Sequence, residues 1–161
     1  AQAAYKEVFA DADSFEALEG FDKNAATEEV VAAGYTDSID DIQVAKDASG
    51  SPIGYVVTVT AKDASQSTIT FSVGIKNDGT VNGYSITSIA ETPGLGMKAE
   101  DEDFYSQFKD KLVDTFEVVK NAPAADNEIE SISGATITSK AMANGVNAAL
   151  TYFRAELGGA Q

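Results

Sequence analysis

The chain has 161 residues, the size of one domain, and 26 acidic against 11 basic side chains give it a formal net charge of −15. A chain of this length buries roughly 70% of its unfolded surface, enough for an ordinary core, while so negative a charge repels phosphate backbones and anionic head groups and excludes nucleic acid as a partner. With no Cys and no His, thiol catalysis, a Ser-His-Asp triad, zinc held by Cys or His, and axial haem ligation by either are excluded too.

In chain order, Tyr5, Val8 and Phe9 fall at helical spacing and predict a first helix. Asp13 with Glu16 three residues on has the form of a capping box and predicts a second short helix, and a loop is expected around Asn24. The period then changes. DIQVAKDA (41–48), PIGYVVTVTA (52–61) and STITFSVGIK (67–76) are rich in Val, Ile, Thr and aromatics and alternate apolar with polar, as half-buried strands do. Ser49-Gly50-Ser51 and Asn77-Asp78-Gly79 between them are hairpin turns, so the sheet should be antiparallel. TVNGYSITSIA (80–90) predicts a further strand that runs into the Gly-rich ETPGLGMKA, with a helix expected from Glu102 to Leu112. FEVVK (116–120) reads equally as a strand or as the end of that helix. EIESI (128–132) predicts a short strand, and a helix is expected from Thr136 to Leu157, where Met142, Val146, Ala149, Leu150 and Phe153 share one face and Gly158 and Gly159 end it. The fold class is therefore α+β: a mainly antiparallel twisted sheet flanked by helices, with a long C-terminal helix, in a single domain over 1–161. No run approaches the roughly 18 apolar residues of a membrane span, and no basic-then-apolar leader is present. The chain begins at Ala1 instead of Met, so it is expected to be trimmed from a longer protein, with any anchor outside it.

Two Gly-bearing stretches carry chemistry. Gly94-Leu95-Gly96-Met97-Lys98-Ala99 has the spacing of the dinucleotide fingerprint between a strand and a helix. Pro93 at the strand exit and hairpins in place of helical crossovers oppose that reading, and a Pro-Gly turn is the plain alternative. The second stretch, SISGATITS (131–139), packs five hydroxyls in front of the apolar C-terminal helix. Ser133 and Gly134 there are compatible with a turn and a helix N-cap. The same geometry makes an anion site, because free amides and the helix dipole favour a phosphate, hydroxyls add donors and Lys140 adds a counter-charge. No general base is at hand to make a Ser or Thr a turnover nucleophile, so no catalytic residue is expected, and no metal site either.

Glu130-Ser131-Ile132-Ser133-Gly134-Ala135-Thr136 resembles the Asp-x-x-(Ser/Thr)-Gly-Ala-Thr motif of FMN-binding domains found in the G subunit of Rnf complexes and the C subunit of sodium-pumping NADH:quinone reductases. Glu91-Thr92-Pro93-Gly94-Leu95-Gly96 is similar to that family's Glu-Thr-Pro-Gly-Leu-Gly loop and follows a strand preceded by an Asp-Gly hairpin, and the likeness spans residues 50–157. Three positions depart from the pattern: Glu130 stands for the usual Asp, Met97 where many relatives carry Asp, and Ala90 where His often precedes the Glu.

The resemblance implies that a separate flavin transferase joins FMN through its phosphate to Thr136. Ser133, Gly134, Ala135, Ile137, Thr138 and Lys140 would surround the phosphate, and Glu91, Thr92, Gly94, Leu95 and Gly96 would lie against the isoalloxazine ring, with Leu95 as the apolar contact. It further implies an electron carrier whose partners are other redox subunits of a membrane complex, extracytoplasmic and anchored to the cytoplasmic membrane by an N-terminal helix. Two alternatives stay open: the FMN-carrying domain of a multidomain flavin-dependent reductase of small unsaturated acids, and a non-redox binding module with a decayed site.

Overall fold

The computed structural model of the protein describes residues 2–63, 68–89, 99 and 102–158. Four of the sequence-predicted strands form a continuous antiparallel meander: β2 (Ser38–Lys46), β3 (Pro52–Ala61), β4 (Ile69–Lys76) and β5 (Val81–Ile89). The turn into β5 carries Gly79 at φ +97°, a conformation that costs any L side chain. A short β1 (Ser14–Ala17) completes the sheet in the order β1-β2-β3-β4-β5. Alternation sorts each strand between two faces. Val57, Val59 and Ala61 of β3 with Phe71, Val73 and Ile75 of β4 are fully buried in the main core. On the other face, Val56 and Ala45 form a smaller core with Val8 and Phe9 of α1 (Gln2–Val8) and its exit. Beside that core the face is polar: Thr58 meets Ser72 at 3.2 Å and Thr60 meets Thr70 at 2.9 Å across the ladder.

The main face is covered by α2 (Lys23–Ala32) and by α4 (Thr136–Tyr152), which runs on through a π-helical turn at Phe153–Leu157. The expected face of Met142, Val146, Ala149, Leu150 and Phe153 is buried as predicted, each no more than 3% exposed. Burial extends further, to Ala141, Ala143, Gly145, Asn147 and Ala148, because α4 also meets α2 and the small sheet described below. At Gly145 the helix needs the absence of a side chain, since a Cβ there would overlap the Phe71 ring.

Three sequence expectations are corrected. Asp13 and Glu16 do not open a helix. Ser14–Ala17 is an edge strand, because Asp13 N–H donates to Lys46 O (2.7 Å), Leu18 N–H donates to Ile42 O (2.9 Å), and Glu16 pairs with Lys46. The free edge of β2 thus satisfies more backbone groups than one local cap does. Asn24 lies in α2 and not in a loop: Asp22 accepts from the amides of Asn24 (2.9 Å) and Ala25 (3.2 Å) and starts the helix. Its apolar stripe is too thin to read from sequence, only Ala26 and Val30 being buried. The helix expected to reach Leu112 is α3 (Glu102–Tyr105) with one 3₁₀ turn, Ser106–Phe108. It stops because Lys111 exchanges backbone hydrogen bonds with Val81 (2.7 and 3.1 Å), and Asp110 takes φ 57° to turn the chain there.

The undecided FEVVK is a strand. β6 (Glu117–Val119) pairs in parallel with β7 (Glu128–Glu130), Val118 opposite Ile129. Two side-chain amides hold this small sheet in place. Asn147 of α4 accepts from Phe116 N–H (2.7 Å) and donates to Phe116 O (2.9 Å). Gln107 likewise accepts from Glu130 N–H (2.8 Å) and donates to Glu130 O (3.1 Å).

Gly145→Ala is expected to destabilise the protein by about 1–3 kcal/mol, the usual cost of overpacking, measured by urea unfolding; an unchanged midpoint would show that the helix does not rest on Phe71. A second expectation concerns pH. Burial and the negative charge of the neighbouring Glu156 raise the Glu29 carboxyl above its ordinary value. The folded state then holds a proton that the unfolded chain releases earlier, so this contribution to stability is present at low pH and lost as pH rises through the folded pKa. Glu29→Gln should flatten that part of a stability–pH profile.

Candidate functional site

β7 delivers the chain to the hydroxyl-rich stretch, and its register continues for one more bond, Ser131 N–H to Val119 O (2.8 Å). A turn follows, closed by Ala135 N–H donating to Ile132 O (2.9 Å). Gly134 within it has φ +77° and open space where a side chain would stand. A side chain there would be strained for its backbone alone. α4 begins at Thr136, and the residue ahead of it, Ala135, has no side-chain oxygen with which to cap it. The first helical bond is Ser139 N–H to Ala135 O (3.0 Å), so the amides of Thr136, Ile137 and Thr138 have no acceptor within the helix.

The structure sorts four of the five hydroxyls by role; Ser131, the fifth, is half-buried at the end of β7. Ser139, fully buried, is structural: its Oγ accepts from Ile132 N–H (2.8 Å) and donates to Ala135 O (2.9 Å), closing the turn against the first helical coil. Ser133 is exposed, as are Gly134 and Lys140. Thr136 is half-buried at the helix start, and Ile137 beside it is 59% exposed, one of three large apolar side chains left open to solvent among the described residues. Ala135 is buried. The Thr138 hydroxyl, also buried, has no hydrogen-bond partner. An orphaned buried hydroxyl costs about 1–3 kcal/mol, and one in the first turn of an uncapped helix is what a site for an added anion would leave.

Glu91, Thr92, Gly94, Leu95 and Gly96, with Ala90, Pro93 and Met97, lie outside the described residues. What is described is how that stretch is anchored. It leaves from the end of β5 and returns at Ala99, which is fully buried and whose carbonyl accepts from the Tyr84 hydroxyl (2.5 Å). Tyr84, Gln107 and Ser139 are the positioning residues that sequence reasoning missed. Tyr84 falls in a predicted strand, Gln107 in the helix expected from Glu102 to Leu112 and Ser139 among the clustered hydroxyls, and none of these local patterns marks a positioning role. Glu130 is exposed, and its backbone rather than its carboxylate is what Gln107 holds.

Chemically, the arrangement suits a phosphate monoester or diester: three free amides, the positive end of a helix dipole, two accessible hydroxyls and a buried one without a partner. A family model described as an FMN-binding domain matches residues 65–151. The G subunit of the proton-translocating ferredoxin:NAD(+) oxidoreductase complex of Clostridium ljungdahlii is 42% identical over 107 residues, 66% of this chain and 57% of that protein. The G subunit of the Na(+)-translocating ferredoxin:NAD(+) oxidoreductase complex of Acetobacterium woodii is 31% identical over 156 residues, 94% of this chain and 72% of that protein. The chain spans little more than half the length of the Clostridium relative. The crystal structure of the C subunit of the Na(+)-translocating NADH-quinone reductase from Parabacteroides distasonis superposes on 94% of this chain and 79% of its own with a TM-score of 0.64 at 22% identity, which shows a shared fold.

Ser139→Ala is expected to leave the Ile132 amide without an acceptor and to cost about 1–3 kcal/mol. Hydrogen exchange at Ile132 should accelerate in that variant more than exchange along β3. Uniform acceleration would show that Ser139 acts only through global stability.

Proposed function

The chain belongs to the FMN-binding domain family, and on that premise we propose that it is an electron-carrying flavoprotein domain whose FMN is tethered through its phosphate to the Thr136 hydroxyl. The observation that carries this reading is the uncapped start of α4, where a half-exposed Thr136 hydroxyl stands beside free amides and the orphaned hydroxyl of Thr138. A phosphodiester there keeps one negative charge, which the amides and the dipole offset locally in a chain whose net charge of −15 opposes it everywhere else. The Thr138 hydroxyl gains an acceptor. Ser133 is free to donate from the turn, and Lys140, one turn beyond Thr136, supplies positive charge in the first coils. Exposed Ile137 offers apolar surface to a ring emerging from the tether.

The flavin, when bound, supplies the redox chemistry; the protein holds its phosphate, orients it and shields it on one side. Glu91, Thr92, Gly94, Leu95 and Gly96 are proposed to complete the ring's surroundings, Tyr84 fixing the return of that stretch at Ala99. Attachment requires a separate flavin transferase. The Clostridium and Acetobacterium relatives are named as subunits of ion-translocating oxidoreductase complexes, which favours a carrier that exchanges electrons with neighbouring redox subunits over a domain of a multidomain reductase. Among the described residues no helix is long and apolar enough to cross a membrane; the proposed placement, on the outer face of the cytoplasmic membrane, rests on an anchor outside this sequence.

The test is coexpression with a flavin transferase, followed by denaturing electrophoresis read by flavin fluorescence and by intact mass. The wild-type chain should carry one FMN, Thr136→Ala none, and Thr136→Ser a partial load. As a partly exposed side chain with no hydrogen bond to another described residue, Thr136 can be truncated at a stability cost within about 0.5 kcal/mol, so loss of flavin will not be loss of fold. Flavin that stays attached to the Ala variant through denaturation overturns the assignment.

A further inference from the structure

Asp37 directly precedes β2 and Asp63 follows β3 by two residues. Because β2 and β3 are antiparallel with Ser38 opposite Thr60, both carboxylates emerge at the same end of the sheet, beneath α4. Asp37 is 1% exposed, and neither of its oxygens has a hydrogen-bond partner. Asp63 accepts from the Asn144 amide of α4 through Oδ2 (3.1 Å), while its Oδ1 is screened from solvent and unpartnered. Three carboxylate oxygens are thus withdrawn from water with nothing bound to them, an arrangement costly enough that native proteins resolve it.

A proton, a basic side chain or a metal ion can do so. The first route serves Asp37 alone and only at low pH; above it, Asp37 and Asp63 face each other as charges. The second route is open only weakly. The backbone and charge of Lys62 act favourably on Asp37, but its exposed ammonium makes no ion pair, the two bridges among the described residues being Lys23 with Asp40 and Lys46 with Glu16.

We propose that Asp37 and Asp63 form a binding site for a hard divalent cation, Ca²⁺ in preference to Mg²⁺. Two carboxylates match a double positive charge, and oxygen is the donor such ions require. Ca²⁺ accepts a bidentate carboxylate and irregular geometry, whereas Mg²⁺ demands a near-octahedral shell that it keeps largely as water; the enclosed Asp37, with both oxygens available, suits the former. Without the ion, burial and the Asp63 charge push the Asp37 carboxyl up to about 7. Among the described residues no third acidic side chain converges there, so carbonyl groups and water complete the shell. Affinity then belongs to the weak class, on the order of 10⁻⁴ to 10⁻³ M. The inference departs from the absence of any metal site expected from sequence, and it does not depend on the flavin reading. Its structural consequence is a brace: the ion would join the ends of β2 and β3, through Asp63 and Asn144, to α4 about 12 Å along the helix from Thr136.

The experiment uses the full chain without flavin, stripped with EDTA, exchanged into chelator-free buffer at pH 8 and constant ionic strength, and titrated with CaCl₂ or MgCl₂ by calorimetry and thermal melting. Wild type should show saturable heat and a rising Tm with CaCl₂, and a weaker response to MgCl₂. Asp37→Asn, which keeps the shape and removes the buried charge, should melt no lower than metal-free wild type and bind Ca²⁺ at least about tenfold more weakly, the size of effect that even residues behind the ligands produce. Asp63→Asn gives a second reading should Asp37→Asn fold poorly, and Glu29→Gln should respond as wild type does. An absence of saturable heat in wild type, or an equal response in both Asp variants from general screening of the negative surface, overturns the proposal.

Discussion

The approach of α4 to the sheet is the contact on which the remainder of the structure depends. It is possible because Gly145 leaves room for the Phe71 ring, and a methyl group in that place would lift the helix off its bed. With the helix seated, Met142, Val146 and Leu150 reach the same core as Val57, Val59, Val73 and Ile75. Each side chain of that kind contributes about 1.5–3 kcal/mol when fully buried, but only if the close approach excludes water from between the layers. The run of Ala141, Ala143, Ala148 and Ala149 serves the same end by keeping the remaining faces of the helix thin enough to lie under α2 and the β6–β7 pair.

From this seat, directional bonds carry the position of the helix to the site. Asn147 holds Phe116 and so fixes where β6 starts, and β6 fixes β7 by parallel pairing. Gln107 fastens Glu130 from the other side, and Ser139 ties the turn to the first coil of α4. In the two amide clamps, one side chain satisfies both backbone groups of a residue in or beside a short strand, replacing a neighbouring strand that is not there. The turn at Ile132 to Ala135 is tied at both ends to Ser139 of α4, with Ser131 bonded to Val119 of β6 just ahead of it and Ile132 packed on the core, while its outer surface, with Ser133, Gly134, Thr136 and Ile137, is left open to a ligand.

Charge is distributed to the same effect. The molecule is acidic throughout, yet the amides at the head of α4 are the positive end of its dipole, so the place where an anion is proposed to sit is one where the negative surface is locally offset. Two turns further along the same helix, Asn144 reaches Asp63, whose screened oxygen and the buried Asp37 concentrate negative charge instead, so that a cation is the proposed complement.

How far the sequence could be read follows from the range of the forces involved. The meander of β2 to β5 was legible because a period of two, with turn residues between the runs, is a local pattern. α4 was legible for the same reason, and so was its hydroxyl-rich start, since turn, helix start and acceptor-free amides all lie within nine residues of one another. Of the three segments read wrongly, α2 was missed because its apolar stripe is thin, and the other two were decided by something distant. Asp13 to Ala17 satisfies a local helix rule and was taken by the open edge of β2 some thirty residues on. The helix after Glu102 was cut short by Lys111 pairing with Val81. The same limit separates the two candidate sites. Thr136 and its neighbours are contiguous, so sequence alone determined where they stand together; Asp37, Asp63 and Asn144 are scattered over more than a hundred positions, and only the antiparallel pairing of β2 with β3 and the descent of α4 onto the sheet bring their oxygens and amide to one enclosed place.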